Sequence, residues 1–312
     1  MEKRCLYCYQ YLSETETDFH SLCSKKIFSL AYAPELPYNE SDLEPLAKSA
    51  IENQTGLTGV QAKLSLHISS NHEGPKRFTI VGLWGGYILK PASSFYPQAP
   101  EVEDLTMHLA ELAKIKVVPH SLIRMKSGNL AYITKRIDRT KKGRIHMEDM
   151  CQLTQRLTEN KYNASYEQIA KAIKLYSKTS GLDLVNFYEQ VLFCFLTGNA
   201  DMHLKNFSLI YSPDLGPVLS PAYDMLSTVL VNPDDNEHMA LTLNGRKNRI
   251  RKSDFVAAFK VAGIDDKQQA NIFNKMTKAK PDWLKMIQIS FLTEDFKEKY
   301  EQVLVDRFSL FE

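Results

Sequence analysis

Apolar residues recur along this chain with two different periods, and the period changes near residue 137. Before that point the alternation is mostly that of strands. Lys63 to Ser69 alternates, Phe78 to Gly82 and Tyr87 to Lys90 read as two more strands joined through Gly85-Gly86, and Leu122 to Met125 with Leu130 to Thr134 flank Ser127-Gly128-Asn129 as a hairpin. One amphipathic helix interrupts them over Glu101 to Ile115, where Val102, Leu105, Leu109 and Leu112 share a face. A shorter helix is expected over Ser41 to Asn53, capped by Ser41 or Asn39, with Pro45 in its first turn. Beyond Ile137 the spacing is helical over His146 to Leu157, Tyr166 to Tyr176 and Leu182 to Leu196, and again from Ser253 onward. Two short strands, Phe207 to Tyr211 and Pro217 to Leu219, flank "SPDLG". The pattern predicts an α+β chain in three parts: a short extension over 1–33, a strand-rich part over 34–137 and a helix-rich part over 138–312. Pro34 and Pro37 mark the first boundary.

Composition narrows the class without naming a partner. With 44% hydrophobic and 24% charged residues, the 312-residue chain has material for a large core. A net charge of +2 favours neither nucleic acid nor an acidic surface. No apolar run reaches the ~18–20 residues of a membrane span, and "MEKRCLYC" lacks the apolar stretch of a signal peptide. The expectation is a cytoplasmic protein with no membrane contact. Five cysteines, an odd number, do not suggest a disulfide framework.

The densest chemistry lies in "LTGNADMHLKNFSLIY". The helix ending near Leu196 stops at Gly198, the usual residue for such a stop. Asp201 and Asn206 follow five residues apart, and a strand begins at Phe207. Protein kinases build their catalytic loop from this order: the Asp accepts the substrate hydroxyl proton and the Asn holds Mg²⁺. Lys205 would neutralise the transferring phosphoryl group. Asp224, in "LSPAYDMLST", supplies a second oxygen ligand of the kind Mg²⁺ prefers. Lys90 ends an apolar strand and Glu101 and Glu103 open the next helix, as the phosphate-binding lysine and its glutamate partner do in kinases. "TGLTGVQAKLSL" offers backbone N–H groups to phosphates, although it is neither a GxGxxG nor a GK[ST] loop. Singly, each of these is as well read as a turn, a cap or a solvated charge. Their order along the chain, on elements of the right type, is what favours phosphoryl transfer.

Longer motifs tie this order to one family. "TGVQAKLSL" (58–66), "YILKP" (87–91), "TKRIDR" (134–139), "MEDMCQL" (147–153), "GNADMHLKNFSLI" (198–210) and "SPAYDMLST" (220–228) resemble segments of the HipA-type serine/threonine kinases of bacterial toxin–antitoxin systems. The resemblance covers roughly 50–310. It implies a two-lobed protein-kinase-like fold with a small β-rich lobe, a larger helical lobe and ATP in the cleft. It implies Asp201 as the base, with His203 and Lys205 completing its loop, and Asn206 and Asp224 as Mg²⁺ ligands. Lys90, partnered by Glu103, would bind the α- and β-phosphates. Thr58, Gly59, Val60, Gln61 and Lys63 would form the phosphate-binding segment, and the backbone of Lys135 and Ile137 would meet adenine. The implied substrate is a protein serine or threonine, for this family usually on an aminoacyl-tRNA synthetase, and the implied DNA contact is only indirect, through an antitoxin. Two departures matter. The serine on which such kinases autophosphorylate is replaced by Gly56, leaving Thr55 and Thr58 as acceptors. The N-terminal subdomain of about a hundred residues has no counterpart before the phosphate segment, so a small separate partner protein is expected to supply it. A small-molecule kinase on the same scaffold, or a silent antitoxin- or DNA-associated binding module, are the alternatives.

Two features lie outside that scheme. Cys5-x2-Cys8 and His20-x2-Cys23 have the spacing of a closed tetrahedral Zn²⁺ shell, and a 25-residue segment cannot build its own core. "LNGRKNRIRKSDF" is basic, but a turn at Asn244-Gly245 leading into a helix capped by Ser253 explains it without a nucleic-acid partner. Trp84 is expected to be a packed turn aromatic.

Overall fold

A computed structural model describes residues 3–43, 45, 63–69, 75–81, 85–93, 95–140, 142–232, 234 and 237–311. The chain divides into two units. The first comprises Met1–Asp104, Val118–Ile137 and Ile289–Phe291; the second comprises Leu105–Val117, Asp138–Gln288 and Leu292–Glu312.

The first unit is built on an antiparallel sheet of β1 (Leu64–Ser69), β2 (Arg77–Val81), β3 (Tyr87–Lys90), β4 (His120–Arg124) and β5 (Leu130–Lys135), in the order β2-β1-β3-β5-β4. Period-two alternation sorts its side chains by face. Leu64, Leu66, Tyr87, Leu89, Ile123, Ala131 and Ile133 point to one side, where Ile27 and Phe28 of α1 (Ser21–Phe28) complete a buried cluster with Phe78. Phe28 meets the Phe78 ring edge-on with centroids 5.8 Å apart. Lys90 and its register partner Tyr132 therefore fall on the opposite face. Gly85 is needed for close approach: a Cβ there would lie 2.5 Å from the Leu66 carbonyl oxygen, and its N–H bonds Ser65 Oγ at 3.0 Å.

The helix predicted over Glu101 to Ile115 runs over Ala99–Leu112, as α2. The predicted hairpin is present as β4 and β5, with Gly128 at φ +94°. The helix expected over Ser41 to Asn53 starts at Glu40, and its part beyond residue 45 lies outside the described residues, as does Trp84.

The second unit is helical around α5 (Ser180–Leu196), with α4 (Tyr166–Tyr176), α7 (Lys252–Ala262), α8 (Asp266–Gln288) and α9 (Glu294–Ser309) packed against it or one another. Phe187 to Leu196 are buried without interruption, Glu189 and Gln190 among them, and from Val191 to Leu196 the helix is apolar on every side, as the end of a central helix must be. Edge-on contacts of Phe187 with Phe207, centroids 5.1 Å apart, and of Tyr188 with Phe259, also 5.1 Å, join its flanks.

Two small sheets complete this unit: β6 (Arg139–Thr140) with β7 (Gly143–Arg144), and β8 (Met147–Asp149), β9 (Ser208–Ser212) and β10 (Gly216–Leu219) in the order β10-β9-β8. The helix expected over His146 to Leu157 is mostly not one. Met147 to Asp149 pair with Ile210 to Ser208, and only Met150–Leu153 (α3) is helical, because Asp149 stops the strand and forms a capping box with Gln152. Asn244 and Gly245, at φ 49° and 74°, make the expected turn. The cap of α7 is not Ser253, however; Arg251 holds that position and Asp254 Oδ2 accepts its N–H at 2.9 Å. Among the described residues no helix is long and apolar enough to cross a membrane.

At Gly198 φ is +69° and a Cβ would lie 2.5 Å from Val229 Cγ2. Gly198→Ala should therefore cost about 1–3 kcal/mol, read as a lower urea midpoint with unchanged slope.

Candidate active site

Buried α5 must end where its carbonyls can be satisfied, and a Schellman turn does this. Asn199 N–H donates to Cys194 O at 2.8 Å and Gly198 N–H to Phe195 O at 3.3 Å. The loop that follows is pinned residue by residue. Ala200 N–H donates to Thr228 Oγ1 at 2.8 Å, in α6 (Thr228–Val231), and Asp201 N–H to Asn199 Oδ1 at 3.0 Å. Leu204 N–H donates to Lys161 O at 3.2 Å, and buried Tyr166 donates its hydroxyl to Met202 O at 3.1 Å.

Asp201 and Asn206 are joined directly. Asn206 Nδ2 donates to the Asp201 carbonyl oxygen at 3.1 Å, closing the five-residue spacing into a ring. With its NH₂ turned inward, Asn206 has the amide oxygen left for another partner. Asp201 is exposed, and its Oδ1 accepts the Tyr162 hydroxyl at 2.6 Å. His203 is buried edge-on against the Tyr162 ring, centroids 5.0 Å apart. Lys205 Nζ donates to Asp149 Oδ2 at 2.7 Å, and the other oxygen of Asp149 accepts Gln152 N–H at the start of α3.

The β9–β10 hairpin returns the chain to this loop. Ser220 N–H donates to Ser208 O at 2.9 Å, and the Tyr223 hydroxyl donates to Lys205 O at 3.0 Å and meets Ser208 Oγ at 2.5 Å. Asp224 thus follows a residue anchored on both sides of Asn206. Its φ of +60° is a left-handed conformation that costs a non-glycine residue on the order of 1 kcal/mol. An amide oxygen and a carboxylate are hard donors of the kind Mg²⁺ takes.

In the first unit Lys90 and Glu103 form a buried ion pair, and Lys90 Nζ also lies 5.4 Å from the Tyr132 ring centroid. Local pattern offered both Glu101 and Glu103, and the family resemblance pointed to Glu103; the structure pairs the lysine with Glu103. Burial, with the Asp104 charge adding to it, pushes the Glu101 carboxyl up to about 7. Lys135 ends β5, and its N–H is taken by Pro119 O at 2.8 Å, while Arg136 N–H donates to Gly86 O at 2.8 Å. Adenine recognition at this strand end would therefore fall to the Lys135 carbonyl or to Ile137. Lys63 is exposed just before β1; Thr58, Gly59, Val60 and Gln61 lie outside the described residues.

The third group of predicted residues is also gathered: Cys5, Cys8, His20 and Cys23 bring one ligand atom each to within 4.8 Å of one another. Among them the Cys23 thiol is pushed up by burial and by the Cys5 charge. Sequence reading missed Asp149, Tyr162 and Tyr223. Asp149 had a signal, the D-x-x-Q of its capping box, hidden by the helical reading of that stretch; Tyr162 and Tyr223 had none.

Two outcomes follow. Glu103→Ala takes the ion-pair partner from a buried lysine and should cost about 3–5 kcal/mol, while Lys90→Met with Glu103→Leu should recover most of that loss in urea unfolding. Native Glu101 holds its proton up to about pH 7, against about 4.5 when unexposed to this environment, so stability should fall as pH rises across that window. Glu101→Gln should flatten that fall and stabilise the protein at pH 8 by on the order of 1–3 kcal/mol, with little effect at pH 4.5, in parallel thermal melts.

Comparison with known proteins places this geometry. The model of the HipA-like C-terminal domain family matches residues 55–284. The Sinorhizobium fredii protein named "Putative kinase Y4dM" is 35% identical over 185 residues, which are 55% of this chain and 45% of that protein. A Haemophilus influenzae protein named "Putative kinase" is 30% identical over 220 residues, 67% of this chain and 61% of that protein. The chain thus spans about half to three-fifths of the length of these relatives. Among solved structures, HipA from the Shewanella oneidensis MR-1 toxin–antitoxin complex with HipB and operator DNA superposes with a TM-score of 0.70 at 18% identity, over 96% of this chain and 74% of that one. The Helicobacter pylori proinflammatory kinase CtkA gives 0.55 at 16% identity, over 79% and 93%. At such identities the likeness is one of fold, an α+β kinase fold. The family match covers well over half of the chain and takes in Lys90, Asp201, Asn206 and Asp224: the protein belongs to the HipA-like C-terminal domain family.

Proposed function

We propose that the chain is an ATP-dependent kinase that transfers the γ-phosphoryl group to a serine or threonine hydroxyl of a protein. The observation that carries this reading is the ring closed by Asn206 Nδ2 on the Asp201 carbonyl, which presents a carboxylate and an amide oxygen from one rigid loop. In this reading Asp201 accepts the hydroxyl proton as the acceptor oxygen attacks phosphorus and the β–γ bridging oxygen leaves with ADP. Tyr162 holds one Asp201 oxygen, so the other is the one turned to substrate. Asn206 and Asp224 would hold Mg²⁺, which supplies charge neutralisation on the phosphates. Lys90, aimed by Glu103, would bind the α- and β-phosphates. Lys205, drawn to Asp149, would exchange or share that carboxylate for the transferring group.

Toxin–antitoxin biology enters through the neighbours. The S. oneidensis HipA was solved with HipB and operator DNA. By analogy we assign this chain a small protein partner, an antitoxin or an N-subdomain-like protein, a DNA contact only through that partner, and a target in translation such as an aminoacyl-tRNA synthetase. The cytoplasm is the compartment this reading requires.

The test is phosphoryl transfer from labelled ATP to proteins of a host lysate. Asp201→Asn should lower kcat by about 10²–10⁴-fold with near-native ATP binding and melting temperature. A variant within a few fold of the parent would remove Asp201 from the role of base. Label appearing only on small molecules would turn the reading to a small-molecule kinase.

A further inference from the structure

The N-terminal segment holds a cluster that phosphoryl transfer does not use. His20 Nδ1 lies 3.4 Å from Cys8 Sγ and 3.7 Å from Cys23 Sγ. A tetrahedron with Zn–S of about 2.3 Å and Zn–N of about 2.0 Å has N–S edges of about 3.5 Å. The opposite ring nitrogen, Nε2, lies 3.0 Å from the Tyr11 carbonyl oxygen. A carbonyl can only accept, so Nε2 carries the proton and Nδ1 presents its lone pair to the three sulfurs. That is how a backbone carbonyl orients a metal-binding histidine. All four side chains come from the protein, leaving no open position, and none of the cysteines forms a disulfide.

The two halves of the cluster dock on the same sheet by different means. The Cys5–Cys8 turn seats its backbone on edge strand β4: Leu6 O accepts Leu122 N–H at 3.3 Å and Ser121 Oγ at 3.1 Å. One residue beyond Cys8, buried Tyr9 donates its hydroxyl to Asp104 Oδ2 at 2.7 Å, and the other Asp104 oxygen meets His120 Nδ1 at 2.6 Å. Asp104 is the neighbour of Glu103, the partner of Lys90. The His20–Cys23 half opens α1, whose far end buries Ile27 and Phe28 in the sheet core and whose Ile27 carbonyl accepts the Tyr87 hydroxyl at 3.1 Å. A segment the length of residues 4–28 is too short to build a core of its own that would hold these two halves together.

We propose that Cys5, Cys8, His20 and Cys23 bind one structural Zn²⁺, and that this ion staples the N-terminal segment to the sheet so that Tyr9 anchors Asp104 beside the Lys90–Glu103 pair. Metal binding at such a site is folding free energy for the segment it closes. The inference stands apart from the proposed kinase activity, because no nucleotide takes part in it.

The full-length chain, purified without chelator, should contain about one zinc per molecule by plasma mass spectrometry. Cys8→Ser and His20→Ala should lose it, while Cys151→Ser, outside the cluster, should keep it. Stripping the parent protein with a chelator should speed amide exchange in peptides covering 4–28, 99–104 and 120–124, and Zn²⁺ alone, not Mg²⁺, should restore protection. Should Cys8→Ser fail to fold, release of zinc from the parent on thiol mercuration, read with a zinc dye, decides the same point. Parent protein with less than about a tenth of an equivalent of zinc, or variants that retain it, would overturn the site. Unchanged exchange over 99–104 after stripping would overturn the staple.

Discussion

The left-handed turn at Gly198 is the constraint on which the Asn199–Asn206 loop depends. An apolar helix buried on all sides cannot continue into a polar loop without leaving its last carbonyls unsatisfied. The turn satisfies them, and only glycine fits, because φ is +69° and the Val229 side chain occupies the space of a Cβ. Everything after it inherits its position. Thr228 takes the Ala200 N–H, Asn199 takes that of Asp201, and Asn206 closes on the Asp201 carbonyl. The acidic side chain is exposed while its backbone is held, which is the geometry that the role proposed for Asp201 requires.

A second theme is the burial of charge with its partner. Lys90 and Glu103 sit on the face of the sheet away from the apolar cluster, and strand alternation puts the lysine there. Asp104, one residue on, is shared by Tyr9 and His120. Such pairs contribute little net stability but make the position of each member costly to change. The first turns of α2 are thereby set by electrostatics as much as by packing, and the N-terminal segment is part of that setting through Tyr9.

How far this was legible depended on whether the information was local. Loop residues Asp201 to Asn206 were readable because their spacing, the preceding glycine and the following strand all lie within one short stretch. The cysteine and histidine set was readable for the same reason. The helix expected over His146 to Leu157 was misread because three of its residues pair with β9, about sixty positions away, and that pairing overrides helical spacing. The cap of α7 moved to Arg251 because the helix begins at Lys252, earlier than expected, with Asp254 in its first turn accepting the Arg251 N–H. Local pattern did not choose between Glu101 and Glu103, since both open the same helix; the family resemblance pointed to Glu103, and that is the one that meets Lys90.

By itself the sequence determined the two periodicities, the elements they predict, the glycine stop, and the spacing of the candidate side chains, because each is a property of neighbours along the chain. Tertiary structure alone decided that Tyr162 holds Asp201, that Asp149 holds Lys205, and that Tyr223 ties Asp224 to the loop. Each of these joins residues 18 to 56 positions apart. Such partners are chosen by how the backbone folds back on itself, and no local pattern records that choice.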